Sequence, residues 1–395
     1  MSSTASKISL LTGGGDRPYV IGLGTVLIEQ GMSIEIVGSD ELESSEWHGK
    51  PNVRFINLRG DQNPNVSLQT KIFRILIYYA ALLRYAWTAE PKIFHILWNN
   101  KFEVFDRTLL VLYYKALGKR VVLTAHNINK GKRDATDSLL NRLTLQIQYR
   151  LSDHIFVHTE PMKAELVQEF GCRTSAITVI PFGINNAVPH TSLTSSEAKA
   201  RLGIQQDERT ILFFGRITPY KGLEYLVDAF SKLRVQSASY RLIIAGRPDN
   251  DSKDYCRAIQ EQILSQDMSE QVLSRIEFIP DSETELYFKA ADVSVLPYRQ
   301  IYQSGVLFLA YSFGLPVIAA SVGGLPDEII EGKTGYVCQP ENADHLTMVI
   351  EQYFKSDLYR GLDERRQEIR NYACQQYSWE VVGRWTKDVY AKLLA

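Results

Sequence analysis

Phe213-Phe214-Gly215-Arg216-Ile217-Thr218-Pro219-Tyr220-Lys221-Gly222 joins two segments of different period. Residues 210–214, before the loop, form a short β-branched and aromatic run that reads as a buried parallel strand. After it, Leu223, Leu226, Val227, Phe230 and Leu233 recur at helical spacing. A strand, a short loop and a helix in that order put Arg216 and Lys221 at the carboxyl end of a strand, the edge at which open α/β sheets bind ligands. Two fixed cations there suit a diphosphate; two basic residues in a solvated turn are the plainer alternative.

The same alternation extends in both directions. Toward the C-terminus, strands are expected at 241–245, 276–279, 293–296 and 316–320, followed by a mainly helical segment from 341 onward. Toward the N-terminus, 8–12 reads as a strand, Gly13-Gly14-Gly15 as a loop, 18–30 as a helix and 33–37 as the next strand. Further strands are expected at 53–58, 93–97, 120–124, 154–158 and 178–180. Residues 185–196 are polar, rich in Ser, Thr and Pro, and without clean period, which suits an interdomain connection. Two doubly wound parallel-sheet domains follow.

The chain has 395 residues, too many for one ordinary domain. Its 44 Lys or Arg against 45 Asp or Glu argue against a nucleic-acid-binding protein. Cys172, Cys256, Cys338 and Cys374 form neither a CxxC pair nor a zinc-spaced cluster, as in a reducing compartment. The apolar run near the N-terminus is too short for a signal peptide. A cytoplasmic location is therefore expected.

A second strand-to-helix junction lies at Ser304-Gly305-Val306, where the first amides of a helix can hold phosphate oxygens and glycine permits close approach. Plain N-capping by Ser304 is the alternative. Together these segments resemble the family-four group of retaining glycosyltransferases with the GT-B fold. Gly215-Arg216-x4-Lys221-Gly222, Phe313-Gly314-Leu315-Pro316, Gly323-Gly324-Leu325-Pro326-Asp327 and Gly332-x2-Gly335 carry the likeness. So do Ile180-Pro181-Phe182-Gly183-Ile184-Asn185, similar to the family's hinge, and Tyr377-Ser378-Trp379-Glu380, similar to its C-terminal helix.

The resemblance implies two Rossmann-like domains facing a cleft. An N-terminal acceptor-binding domain (1–182) and a nucleotide-sugar domain (183–372) precede a helix (373–395) that packs back on the first domain. It implies transfer of a sugar from a nucleoside diphosphate to a hydroxyl acceptor with retention, in polysaccharide, glycolipid or lipid-linked oligosaccharide synthesis. Arg216 and Lys221 would hold the diphosphate and offset charge as the glycosidic bond breaks. Gly215 and the amides of Ser304, Gly305 and Val306 would complete that cradle. His126, in Thr124-Ala125-His126-Asn127, matches the histidine that the family turns toward the donor sugar, and Asn127 would lie on the acceptor side. Gly14 and Gly15 lie where the family's glycine-rich loop faces the donor phosphates, although a triple glycine can also be only a tight turn. Gly22-x-Gly24 comes too late to be a dinucleotide fingerprint.

The chain departs from the family in one respect. Ile301 and Leu309 stand where paired glutamates are usual, the second of which reads the ribose. An epimerase or phosphorylase on the same fold and a non-catalytic nucleotide-sugar binder remain as alternatives. Asp249-Asn250-Asp251 imitates a metal-binding DxD, but its polar loop reads better as a solvated turn. No cofactor or metal beyond the donor is expected. Finally, 68–120 holds nine Lys or Arg against three Asp or Glu, interleaved with aromatic residues. This suits peripheral contact with the inner face of an anionic membrane; the alternative is that the apolar run 72–83 is a buried helix.

Overall fold

The computed structural model describes residues 7–395 apart from 64, 130, 132–135, 185–187 and 238. Asn185, in the hinge-like motif, and the start of the expected interdomain connection lie outside the described residues. The chain divides into two compact units, one made of 1–183 and 379–395 and the other of 184–378.

The first unit is a seven-stranded sheet ordered β3-β2-β1-β4-β5-β6-β7, with every neighbouring pair parallel. Its strands are β1 (Lys7–Leu11), β2 (Ser33–Gly38), β3 (Val53–Asn57), β4 (Ile93–Ile96), β5 (Arg120–Thr124), β6 (His154–Val157) and β7 (Ile177–Val179). Parallel strands need crossovers, and α1 (Arg17–Glu29) and α2 (Leu68–Thr88) are the first two. Next come the short α3 (Glu103–Phe105), a wide π-type stretch (Asp106–Leu110) and α4 (Val111–Ala116). After them follow α5 (Leu139–Leu151) and α6 (Glu160–Gln168). Ile8, Leu10, Ile34, Ile36, Ile93 and Val122 are buried from solvent, as expected for strands covered on both faces.

Trp379, at the start of the last helix, closes this core. A Cβ on Gly22 would come within 2.0 Å of the Trp379 ring, and one on Gly383 within 2.7 Å of Val26. A Cβ on Gly24 would meet Trp47 at 2.9 Å. The two glycines of Gly22-x-Gly24 are thus packing residues, which explains why they sit inside a helix rather than before it.

The second unit repeats the plan with six parallel strands ordered β10-β9-β8-β11-β12-β13. After α7 (Ser195–Arg201) come β8 (Arg209–Phe214), α8 (Leu223–Gln236), β9 (Tyr240–Ala245), α9 (Lys253–Ser265) and β10 (Val272–Arg275). Then α10 (Asp281–Ala290), β11 (Val293–Leu296), α11 (Gly305–Ser312), β12 (Val317–Ala320) and β13 (Gly335–Cys338) complete the sheet. The unit ends in α12 (Ala343–Lys355), α13 (Asp357–Arg360) and α14 (Leu362–Tyr377); the final helix of the first unit is α15 (Trp379–Leu394).

Two expectations need correction. The strand expected at 276–279 is Val272–Arg275, paired with Leu242–Ala245 of β9. It is an edge strand whose Ser274 and Arg275 are exposed, so it lacks the apolar run that the eye seeks, and that run falls in the loop after it. The reading of 72–83 as a buried helix holds only for its second half: Tyr78, Tyr79 and Leu82 are buried, whereas Ile72, Phe73, Leu76 and Ile77 are exposed.

Candidate active site

In both units the strand order reverses direction beside the first strand, between β1 and β4 and between β8 and β11. Crossovers leave to opposite sides there, so the carboxyl ends of those strands diverge and open a crevice. Every donor-, acceptor- or sugar-facing residue expected from sequence follows one of these strands or the neighbouring β5.

In the second unit, Gly215 follows β8 with φ +100°, a left-handed backbone that favours glycine. A Cβ there would lie 3.1 Å from the Lys221 Nζ and 3.5 Å from a methyl of Val306. Gly215, Lys221 and Val306 therefore converge, although Val306 is 85 positions from Lys221 in sequence. Lys221 is buried, with its ammonium 5.3 Å from the centroid of the Tyr298 ring, whose π face favours a cation. Gly222, also left-handed, packs its Cα against the Pro297 carbonyl, where a Cβ would stand 2.1 Å away.

Arg216 behaves differently. Its side chain is 70% exposed and its Nη1 is 3.6 Å from Asp249 Oδ2. The DxD-like triplet thus supplies a surface ion-pair partner for Arg216, and Asn250–Ser252 is a single tight turn. Among the described residues no group of three His, Cys, Asp or Glu side chains is placed to hold a metal ion.

Ser304 precedes α11 but does not cap it with its side chain, which corrects the capping alternative. Its Oγ lies 3.3 Å from the Tyr298 hydroxyl instead. Gly305 at the helix start is exposed, and the first amides of a helix lack intrahelical partners and carry partial positive charge. Next to it Gln303 has both amide atoms buried without a hydrogen-bond partner, a polar group that sequence reading passed over. The loop is buttressed from below: a Cβ on Gly323 would meet the Ile301 carbonyl at 1.8 Å, and the Gly324 amide donates to the Tyr302 carbonyl at 2.9 Å. Leu309 is buried in α11.

In the first unit, Gly13 and Gly14 have φ of +57° and +76°. A Cβ on Gly13 would stand 2.1 Å from the Trp98 carbonyl, and one on Gly15 2.0 Å from the Trp98 ring. One on Gly14 would stand 1.9 Å from a guanidinium nitrogen of Arg59. The triple glycine is more than a tight turn: it lets β1's exit loop press against β4's exit loop and against a cation that sequence reading missed.

His126 stands in an aromatic box. Trp98 stacks on it with ring centroids 4.2 Å apart, Tyr19 meets it edge-on at 4.7 Å and Phe182 lies at 6.0 Å. Its Nδ1 is 3.0 Å from Nε2 of His158, whose Nδ1 is 3.2 Å from the Ile180 carbonyl. A carbonyl only accepts, so His158 Nδ1 carries a proton and donates to Ile180. With both rings neutral, the Nδ1–H of His126 donates to His158 Nε2 and leaves His126 Nε2 as a bare lone pair. That atom is buried without a hydrogen-bond partner. Burial, reinforced by His158 and His95, holds the His126 pKa well below the ordinary histidine range, and burial holds His158 at about 4. The pair is neutral at pH 7, so His126 can accept a hydrogen bond but is not a charged acid. Asn127 is half-buried beside it.

Family models match both halves of the chain: Glycosyltransferase Family 4 over residues 13–188 and Glycosyl transferases group 1 over residues 194–376. A D-inositol 3-phosphate glycosyltransferase of Corynebacterium efficiens is 25% identical over 96% of this chain and 90% of its own. One from Mycobacteroides abscessus is 28% identical over 82% of this chain and 73% of its own. Among solved structures, sucrose-phosphate synthase from Thermosynechococcus elongatus aligns with a TM-score of 0.77 at 20% identity, over 98% of this chain and 99% of that one. HepE of Anabaena in complex with UDP aligns with 0.75 at 16% identity, over 98% of this chain and all of that one. The structural likeness establishes the GT-B fold, and with the family matches on either side of residue 190 the chain belongs to the group 1 glycosyltransferases.

Proposed function

We propose that the protein transfers a hexose-type sugar from a nucleoside diphosphate to a hydroxyl acceptor with retention of configuration. One observation carries the reading. Lys221, Gly215 and the open start of α11 converge at the switch point of the second unit, so a buried ammonium and uncapped amides meet in one crevice.

In this reading Lys221 and the amides of Ser304, Gly305 and Val306 hold the diphosphate, and Arg216 folds over it from the surface. Their charge offsets the negative charge that grows on the leaving phosphate, an effect strengthened in a site that excludes water. His126 accepts a hydrogen bond from a donor-sugar hydroxyl through Nε2, Asn127 serves the acceptor side, and Gly14 and Gly15 leave room for the ligand. Retention and the residue roles come from the family resemblance. A nucleotide-sugar donor is in keeping with the HepE structures, which hold UDP, UDP with glucose, and UDP-glucose. The acceptor is a hydroxyl compound in polysaccharide or glycolipid assembly, with a lipid-linked acceptor met by a peripherally bound enzyme.

A thermal-shift screen against UDP, GDP, ADP and their sugars tests the donor assignment, because a ligand that binds only the folded state raises the melting temperature. Stabilisation by one nucleotide series, lost in Lys221→Ala, is the expected result. No stabilisation by any of them at millimolar concentration would remove it. Product anomeric configuration, read by NMR, tests retention.

A further inference from the structure

Helix α2 is apolar on two opposite stripes. Tyr78, Tyr79, Leu82 and Ala86 face the sheet and are buried, while Ile72, Phe73, Leu76 and Ile77 face outward and are 51–65% exposed. An apolar stripe left exposed on a helix whose other side is already buried is a second surface to cover. Its neighbours continue that surface. Leu109 and Leu112 are exposed on the π-type stretch and α4, and Leu139, Leu140 and Leu143 on the first turns of α5. The three helices lie side by side: Tyr79 stacks on Phe102 at 5.2 Å, Tyr113 donates to the Leu83 carbonyl, and Arg107 donates to Asn141. Of 19 exposed large apolar side chains among the described residues, 13 fall between Leu68 and Leu143. That concentration goes well beyond the single exposed leucines of an ordinary surface.

Charge indicates what covers it. Helices α2, α4 and α5 carry Lys71, Arg74, Arg84, Lys115, Arg142 and Arg150 and not one acidic residue, in a chain whose total charge is balanced. Asp61, Asp153 and Asp137 from adjoining loops pair with Arg74, Lys115 and Arg142, so part of the positive charge is offset and apolar contact outweighs it. An apolar surface edged by cations, on which the exposed Glu103 is paired with Arg107, matches the interface of an anionic bilayer. The exposed apolar residues crowd the N-terminal ends of these helices, which follow the carboxyl ends of β3, β4 and β5. This is the sheet edge that also carries Gly13–Gly15, Trp98 and His126. Among the described residues no helix is long and apolar enough to cross a membrane.

We propose that the first unit inserts this three-helix apolar face shallowly into an anionic lipid bilayer, with the carboxyl edge of its sheet against the headgroups. This deepens the reading of a lipid-linked acceptor but does not depend on it, since binding can be read without substrate. The full chain should sediment with equimolar phosphatidylcholine–phosphatidylglycerol vesicles about tenfold more strongly than with phosphatidylcholine alone, the scale of one or two net cations at such a surface. Binding should weaken in high salt without vanishing, because salt screens charge and not apolar burial. The variant I72S/F73S/I77S should lose sedimentation at every salt concentration while keeping its melting temperature, because these side chains face solvent. Sedimentation by the triple variant equal to the unaltered chain would overturn the proposal, and so would equal binding to neutral vesicles or no binding to either. A concentration-dependent dimer in the ultracentrifuge that the same substitutions abolish would assign the face to a second copy of the chain instead.

Discussion

The two switch points share a topology and differ in chemistry. Between β8 and β11 the second unit gathers cations and bare amides: Lys221, Arg216 and the start of α11. Between β1 and β4 the first unit gathers rings and neutral imidazoles, Trp98, Tyr19, His126 and His158, with Trp98 packed so closely that only glycine fits at 13 and 15, and the Arg59 guanidinium lies against Gly14. The same open-sheet crevice is thus lined by cations and helix-start amides in one unit and mainly by aromatic rings and neutral imidazoles, with Arg59 at its edge, in the other. Topology fixes where a ligand can lie; side chains decide which part of it.

If that division holds, removing charge from the second unit should affect turnover most. Lys221→Ala and Arg216→Ala are each expected to lower kcat about a hundredfold, the scale for one preorganised charge contact, with the melting temperature of Arg216→Ala unchanged. Steady-state kinetics with both variants within a few-fold of the unaltered enzyme would erase the contrast.

In the first unit the largest effect should be on packing. Gly15→Ala places a methyl on the Trp98 ring and is expected to cost about 1–3 kcal/mol, the range for overpacking a filled site, read as a lowered denaturation midpoint. Gly31→Ala, at a glycine whose Cβ would meet nothing within 4 Å, gives the comparison, since its cost comes from the φ of +79° alone.

Acid should act on the first unit before the second. Burial lowers the His158 and His154 pKa values to about 4 and that of His95 to about 3, whereas the unfolded chain titrates them near 6.5. Below that value the unfolded state binds more protons than the folded one, so stability is complete above about pH 6.5 and declines as pH falls toward 4. The melting temperature should fall over that window, and less so in His158→Gln. A flat profile would show that these imidazoles are not buried as described.

The smallest effect should be at the ribose. If Leu309, buried in α11, takes the place of the ribose-binding carboxylate, 2′-deoxy and ordinary nucleoside diphosphates should bind within about fivefold by calorimetry. A hundredfold preference for the ribonucleotide would mean that another residue of the second unit holds the 2′-hydroxyl.

How much of this was legible in the sequence depended on distance along the chain. Arg120–Thr124 and Val293–Leu296 are strands at the boundaries their composition indicates, because a buried parallel strand is a local apolar run. Gly215 to Gly222 was readable for the same reason. Edge strand β10 was not, since its exposed side chains carry no pattern. Arg59 beside Gly14, Asp249 beside Arg216 and His158 beside His126 are meetings of residues 32 to 45 positions apart, and no period announces them. The apolar run 72–83 was visible, but periodicity alone did not say which stripe faced the sheet.

The return of Trp379–Ala395 to the first unit has a consequence for how the protein is made. Synthesis proceeds from the N-terminus, so α1 emerges early with Gly22 and Val26 forming a slot that remains empty while nearly two hundred residues of the second unit are translated. The second unit is continuous and can fold as it leaves the ribosome; the first has to wait for its final helix with an apolar groove open to water. A nascent chain stalled before Trp379 should therefore engage chaperones through its older half, the reverse of the usual order in which the most recently made segment is the least protected.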